Sequence, residues 1–308
     1  MRACLDCLPC LARNAIDLAR KSAQGDAALE ARIAAEGMRI LAKAAAEGYA
    51  LPPPCYARKL IDNALAMSEG RVPDPWAPEK KTSTDLALKL MERLDEIPGW
   101  KTSRGSGTLA ASLSEFEKRL RLAIAGNILD FSVYADLDIA AAMETMATAF
   151  TKPVDAAAVA ELKRRMDAAK SILWIFDNCG EAVFDRLLME PYRDKITLAV
   201  RGKPAFNDMT RAELESSGLL PPDFAKCGGK IVSNDDGVPG VVDETCGEAF
   251  RAAFAAADLV VAKGQANFET MSERTDKPIA FLFLAKCPVV CRAVGAEPKT
   301  IQVLLRNF

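Results

Sequence analysis

The chain has 308 residues, half of them apolar, and a formal net charge of only −2. That length supports sizeable cores and as many as two domains, while a near-neutral balance without a long basic run excludes the electrostatic field of a nucleic-acid binder. There is no histidine, which removes Ser-His-Asp and Cys-His catalysis, histidine-ligated zinc and histidine general bases together.

In chain order, the stretch MRACLDCLPCLARNAIDLARK interrupts its apolar residues with Asp6, Arg13, Asn14 and Asp17, so no secretory h-region is read there. No apolar run approaches the roughly 20 residues that span a bilayer, and no membrane partner is expected. Nine cysteines without an export signal read as thiols of a reducing cytoplasm. Cys4, Cys7 and Cys10 form C-x-x-C-x-x-C. With Cys55 they make a possible four-thiolate zinc set; they are alternatively a redox pair, or small apolar groups buried along one face of a first helix. The burial reading is preferred because no second C-x-x-C follows, and the thiols are expected to stand apart from the chemistry.

Ala-rich amphipathic patterns predict helices over about 11–24, 26–48, 56–69, 83–96, 108–125 and 136–150, broken by Pro52-Pro53-Pro54 and Val72-Pro73-Asp74-Pro75. Residues 1–150 are therefore expected to form an all-helical bundle or cap domain. Within it, Gly126-Asn127-Ile128-Leu129-Asp130-Phe131 is a polar interruption, either a simple turn or a segment whose Asn127 and Asp130 reach a site.

From about residue 168 the pattern changes to strands alternating with helices, with strands predicted at 171–176, 196–200, 230–233, 258–262 and 279–284. The expectation for residues 151–308 is a three-layer α/β/α domain with a doubly wound, mainly parallel, Rossmann-like sheet. Polar or glycine residues follow each strand: Asp177-Asn178, Arg201-Gly202-Lys203, Ser233-Asn234-Asp235-Asp236-Gly237, Lys263-Gly264-Gln265 and Lys286. In open α/β sheets ligands bind outside these strand ends. Neither G-x-G-x-x-G nor G-x-x-x-x-G-K-[ST] occurs, so dinucleotide and P-loop chemistry find no support.

The first strand and turn, Ser171 to Glu190, organise this half. Asn178 with Glu181 is either an N-cap with its capping-box partner or part of a site. Asn207-Asp208 falls one strand–helix–strand unit later, where parallel neighbours bring both turns to one edge. Asp177, Asn178 and Asp208 offer only oxygen, which suits Mg²⁺ or Mn²⁺ better than a thiolate-loving ion. Asp177 and Asn178 share one cation only if the strand has already turned, a turn that Gly180 permits. Lys263 and Lys286 are either neutralisers of phosphoryl oxygens or solvated charges.

The motifs Asp177-Asn178-x-Gly180-Glu181…Asp185, Arg201-Gly202-Lys203-Pro204…Asn207-Asp208, Asp258 to Glu269, and Lys286-Cys287-Pro288, with Gly126-Asn127…Asp130-Phe131 and Cys4-x-x-Cys7, resemble those of the damage-control phosphatases. That family was first catalogued as domain of unknown function 89, and the CxxC pair is a feature of its prokaryotic-type branch. The resemblance implies a metal-dependent phosphomonoester hydrolase acting on small phosphorylated metabolites. It makes Asp177, Asn178 and Asp208 ligands of Mn, Mg, Co or Ni. It also makes Asp177, Glu181, Lys263 and Lys286 catalytic, and Asn127, Lys203, Ser233, Asn267 and Glu269 substrate-binding. Whether Asp177 acts as nucleophile or ligand stays open, and a phosphotransferase or a non-hydrolytic metabolite-sensing module remain the alternatives. One departure is Asn234, where family members tend to have glycine after the serine; the loop Ser233 to Gly240 is therefore expected to meet substrate differently.

Overall fold

A computed structural model describes residues 1–101, 114–127, 139–220 and 229–308. Five strands fall where the apolar runs place them: β1 (Ile172–Ile175), β2 (Ile196–Val200), β3 (Lys230–Ser233), β4 (Leu259–Lys263) and β5 (Ile279–Ala285). They are mutually parallel in the order β3-β2-β1-β4-β5. A sixth strand not expected from the sequence, β6 (Thr300–Arg306), runs antiparallel to β5 at the sheet edge. Only Ile301 and Val303 of that strand are buried, so it lacks the continuous apolar run that marks the strands buried on both faces.

The chain moves outward from β1 to β2 and β3, then returns to place β4 on the other side of β1. The crevice at the carboxyl ends of β1 and β4 is thus the switch point, where doubly wound sheets bind ligands. Helices cover both faces, and all four residues of β1 are buried. Trp174 packs toward the helices Glu115–Ala125, Ile139–Ala147, Ala156–Ala168 and Cys179–Met189. Its neighbours Leu173 and Ile175 point the other way, toward Phe250, Phe254 and Phe268, as the period of two requires.

At the amino terminus, helices Leu8–Ala23, Ala27–Ala46 and Pro53–Met67 close a core of their own around Leu11, Leu18, Ile33 and Leu60. The proline run starts the third of these: Pro53 and Pro54 occupy its first positions, where a missing N–H costs no intrahelical bond. Helices Ala77–Glu92 and Glu115–Ala125 share the core of the sheet instead. The predicted segment 108–125 begins at Glu115 among the described residues, with the Ser114 hydroxyl accepting from the Glu117 N–H at 3.1 Å. Asp130 and Phe131 lie outside the described residues. Among those described, no helix is long and apolar enough to cross a membrane.

Candidate active site

Beyond β1 the backbone stays extended through Asn178, and the helix Cys179–Met189 follows. The second acidic cluster meets the first through backbone pairing: the Met209 N–H donates to the Asp177 carbonyl at 2.8 Å and the Cys179 N–H to the Asn207 carbonyl at 2.9 Å. Asn178 and Asp208 are thereby antiparallel partners. Asn178 does occupy the N-cap position, but its side chain makes no capping bond. Its amide donates to Asp177 Oδ2 at 3.1 Å instead. The expected role of Gly180 is not realised, because it lies inside the helix and is not among the residues with positive φ. Room for the site comes from Gly264 (φ +78°), where a Cβ would stand 2.0 Å from the Asp177 carboxylate.

Each of the three proposed ligands keeps one oxygen unengaged by any described residue. Asp177 Oδ2 accepts from the amides of Asn127 and Asn178, both at 3.1 Å, and Asp208 Oδ2 accepts from Arg201 Nε at 2.7 Å. Asp177 Oδ1, Asn178 Oδ1 and Asp208 Oδ1 are left. The donor set is two carboxylates and an amide; no convergent group of three or more Asp, Glu, His or Cys side chains occurs among the described residues. Burial raises the Asp177 carboxyl above its usual range. Burial, opposed by Arg201 and reinforced by Asp177, pushes Asp208 up to about 7. Two such carboxylates, side by side and short of positive charge, present the electrostatic deficit that a hard cation fills.

The remaining predicted residues divide sharply. Lys263 is fully buried, and its ammonium donates to Glu181 Oε1 at 2.5 Å, Asp185 Oδ1 at 2.6 Å and the Ala123 carbonyl at 3.0 Å. All three N–H groups are spent, so in this geometry Lys263 is neither a phosphate contact nor a solvated charge. Burial works against its charge, yet Asp185 and Glu181 hold its pKa above the ordinary lysine value. Glu181 has both oxygens engaged as well, the second by Asn127 at 3.0 Å; burial pushes its carboxyl up to about 8. Asn127 is the hub of this layer, since its Oδ1 also accepts from Lys286 Nζ at 2.5 Å. Lys286 itself is exposed and retains two donors.

Asn267, expected to touch substrate, is fully buried and donates to the carbonyls of Phe176 at 3.3 Å and Lys263 at 2.6 Å. The Ser233 hydroxyl accepts from the Asp235 N–H at 2.9 Å, and Lys203 is exposed; neither lines the cavity described next. Asn234 is buried and staples its loop, accepting from the Gly202 and Asp236 N–H groups at 2.8 and 3.2 Å and donating to the Gly240 carbonyl at 3.3 Å. Its departure from glycine thus serves loop structure.

A cavity of about 280 Å³ opens over Asn178 and Asp208, two of the proposed ligands. Asn178, Asp208 and Glu269 line it from the sheet side, and Cys7, Cys10 and Asn14 from the amino-terminal segment. The expectation that the thiols stand apart from the site is therefore corrected. Spacings of three and four carry these side chains on one helical face, and that face is the opposite wall of the cavity. Cys7 is buried, its sulfur 3.8 Å from that of Cys4, and burial pushes its thiol up to about 12. Glu269 is buried in the wall, accepts from the Gln265 amide at 2.9 Å, and is pushed by burial up to about 7.

A family model described as the damage-control phosphatase ARMT1-like domain matches residues 3–301. A damage-control phosphatase of Pyrococcus horikoshii is 31% identical over 312 residues, covering 100% of this chain and 99% of that protein. One from Archaeoglobus fulgidus is 29% identical over 233 residues, covering 73% of this chain and 74% of its own. The crystal structure of a DUF89 family protein from Pyrococcus horikoshii superposes with a TM-score of 0.82 at 27% identity, each chain covered completely.

Proposed function

Because the chain belongs to the damage-control phosphatase ARMT1-like family, we propose that it is a divalent-metal-dependent hydrolase of phosphomonoesters of small metabolites, such as sugar phosphates or damaged phosphometabolites, working in a reducing cytoplasm. The observation that carries this reading is the trio of unengaged oxygens on Asp177, Asn178 and Asp208 at the switch point. Electrostatics support it: burial raises both Asp177 and Asp208, and the Asp177 charge adds to the rise at Asp208, a penalty that a divalent ion bound there would relieve. Such an ion, Mn²⁺, Mg²⁺, Co²⁺ or Ni²⁺, supplies Lewis acidity toward a phosphoryl oxygen and acidifies a coordinated water.

The residues of the chain do the rest. Lys286, exposed and with two N–H groups to spare, offsets charge on the phosphoryl oxygens. The cavity volume is of the size that holds a small metabolite. Glu269 lines the cavity and burial pushes its carboxyl up to about 7, so it is proposed to carry a proton for the leaving group. Water oxygen bonds to phosphorus, the ester P–O bond breaks, Glu269 protonates the departing alkoxide, and the proton lost by water restores Glu269. The partner is thus the small phosphorylated metabolite, with neither nucleic acid nor membrane involved.

The test is phosphate release from p-nitrophenyl phosphate and then from a panel of sugar phosphates, after EDTA treatment and after adding back each cation in turn. Activity lost with EDTA and regained with metal supports the reading; full activity in metal-stripped protein refutes it. Binding of esters without release would indicate a sensing module, and phosphoryl transfer to an acceptor a phosphotransferase.

A further inference from the structure

Arg201 is one of the largest fully buried side chains in the protein, 2% exposed, and it sits just beyond the carboxyl end of β2. An isolated guanidinium is expensive to bury, so its partners reveal its purpose. Nε donates to Asp208 Oδ2 at 2.7 Å, one terminal nitrogen to the Gly240 carbonyl at 3.0 Å, and the other to Asn267 Oδ1 at 3.2 Å. Guanidinium and carboxylate usually meet fork to fork, with two parallel bonds. Here the pairing is single, because the terminal nitrogens are drawn off to two neutral acceptors. The consequence is that Asp208 is gripped by one oxygen and presents the other unmasked.

What draws one terminal nitrogen away is Asn267, whose orientation the network itself determines. Its Nδ2 faces two carbonyls, those of Phe176 and Lys263, which accept only, so its Oδ1 must face the guanidinium. Those two carbonyls belong to the residue before Asp177 and the residue before Gly264, the glycine that makes room for the Asp177 carboxylate. One amide and one guanidinium therefore tie together the ends of β1, β2 and β4. We propose that Arg201, clamped by Asn267, is a positioning residue that holds Asp208 by one oxygen so that its second oxygen is fixed at the cation site. The inference rests on the functional reading above only in taking Asp208 as a metal ligand.

The experiment measures binding of Mn²⁺ alone, by titration calorimetry and by the electron paramagnetic resonance signal of the free ion, so it needs no turnover. Arg201→Lys keeps a buried cation but loses the three-way geometry. It is expected to melt cooperatively and to bind Mn²⁺ about 10- to 100-fold more weakly, the range typical when a residue supporting a metal ligand is replaced. Phosphatase activity, where lost, should return at saturating Mn²⁺. In an Asp208→Asn background the same Arg201→Lys change should add no further loss of affinity, since the two act as one unit. Asn267→Ala, which leaves the Arg201–Asp208 bond in place, gives a smaller loss and covers the case in which Arg201 variants fail to fold. Unchanged Mn²⁺ affinity in both Arg201→Lys and Asn267→Ala, or an equal loss with and without the Asp208 carboxylate, overturns the proposal. Wild-type protein that binds Mn²⁺ tightly but releases no phosphate would sink the phosphatase reading and leave this one standing.

Discussion

Replacing Lys263 by methionine separates a buried internal cation from a catalytic one. Methionine keeps most of the stem volume, so the change removes chiefly the charge and its three hydrogen bonds, to Glu181, Asp185 and Ala123. Glu181 is 1% exposed and Asp185 not at all, so neither carboxylate can turn to water for compensation. Breaking a buried pair from one side costs about 3–5 kcal/mol. With an unfolding entropy of roughly 2 cal/mol/K per residue, this becomes a melting temperature lower by about 5–8 °C for a chain of this length. The assay is thermal melting of the metal-free protein monitored by circular dichroism. Adding Glu181→Gln to Lys263→Met should recover part of the loss above about pH 8, where the Glu181 carboxyl would otherwise be ionised and stranded. A melting temperature within about 1 °C of wild type would match an exposed charge and refute the reasoning.

Lys286→Met should behave in the opposite way, with little change in melting temperature and turnover reduced on the order of 100-fold, since an exposed lysine contributes through the reacting phosphoryl group and not through packing; near-normal kinetics would remove it from the site. In metal-free protein, burial raises Glu269 and Asp208 to about 7 and Glu181 to about 8, whereas unfolded carboxylates titrate near 4. The folded state then holds more protons than the unfolded state between roughly pH 4 and 8, so stability falls as pH rises through that window. EDTA-treated protein should melt at a lower temperature at pH 8 than at pH 5.5, and the reverse order would contradict the burial of these groups. Cys10→Phe adds bulk to the cavity wall and should raise KM while leaving Mn²⁺ affinity as it was; an unchanged KM would mean that substrate does not reach this wall.

Of the parallel strands, β1, β2, β4 and β5 were legible as apolar runs ended by polar residues, while β3 has only Ile231-Val232 between Lys230 and Ser233; the meeting of Asp177, Asn178 and Asp208 follows from their places after neighbouring strands. What spacing concealed was side-chain direction. Lys263 and Lys286 look alike as lysines after strands, yet Lys263 is the last residue of β4, in phase with Leu259 and Val261, which face the helix-covered side containing Glu181 and Asp185. The period of two therefore carries it inward. Lys286 stands one residue beyond β5, past the cover. The wall formed by Cys7, Cys10 and Asn14 was hidden for a different reason: a helical spacing defines a face but does not say which partner that face meets.

These placements also decide which charges are able to follow a reaction. A cation whose donors are all engaged by buried acceptors holds the ground-state geometry and has nothing to give to a developing charge. Lys263 is in that position, and Arg201 spends its fork on Asp208, Gly240 and Asn267. Lys286 holds one bond, to an amide oxygen that belongs to the same layer, and keeps two donors facing outward. Its bond to Asn127 is charge-assisted on the donor side only and is worth about 1.5–3 kcal/mol; with a phosphoryl oxygen both partners would be charged, which favours the exchange. The buried cations therefore set where the carboxylates stand, and of the three only Lys286 keeps donors that could answer a developing charge, the role proposed for it above.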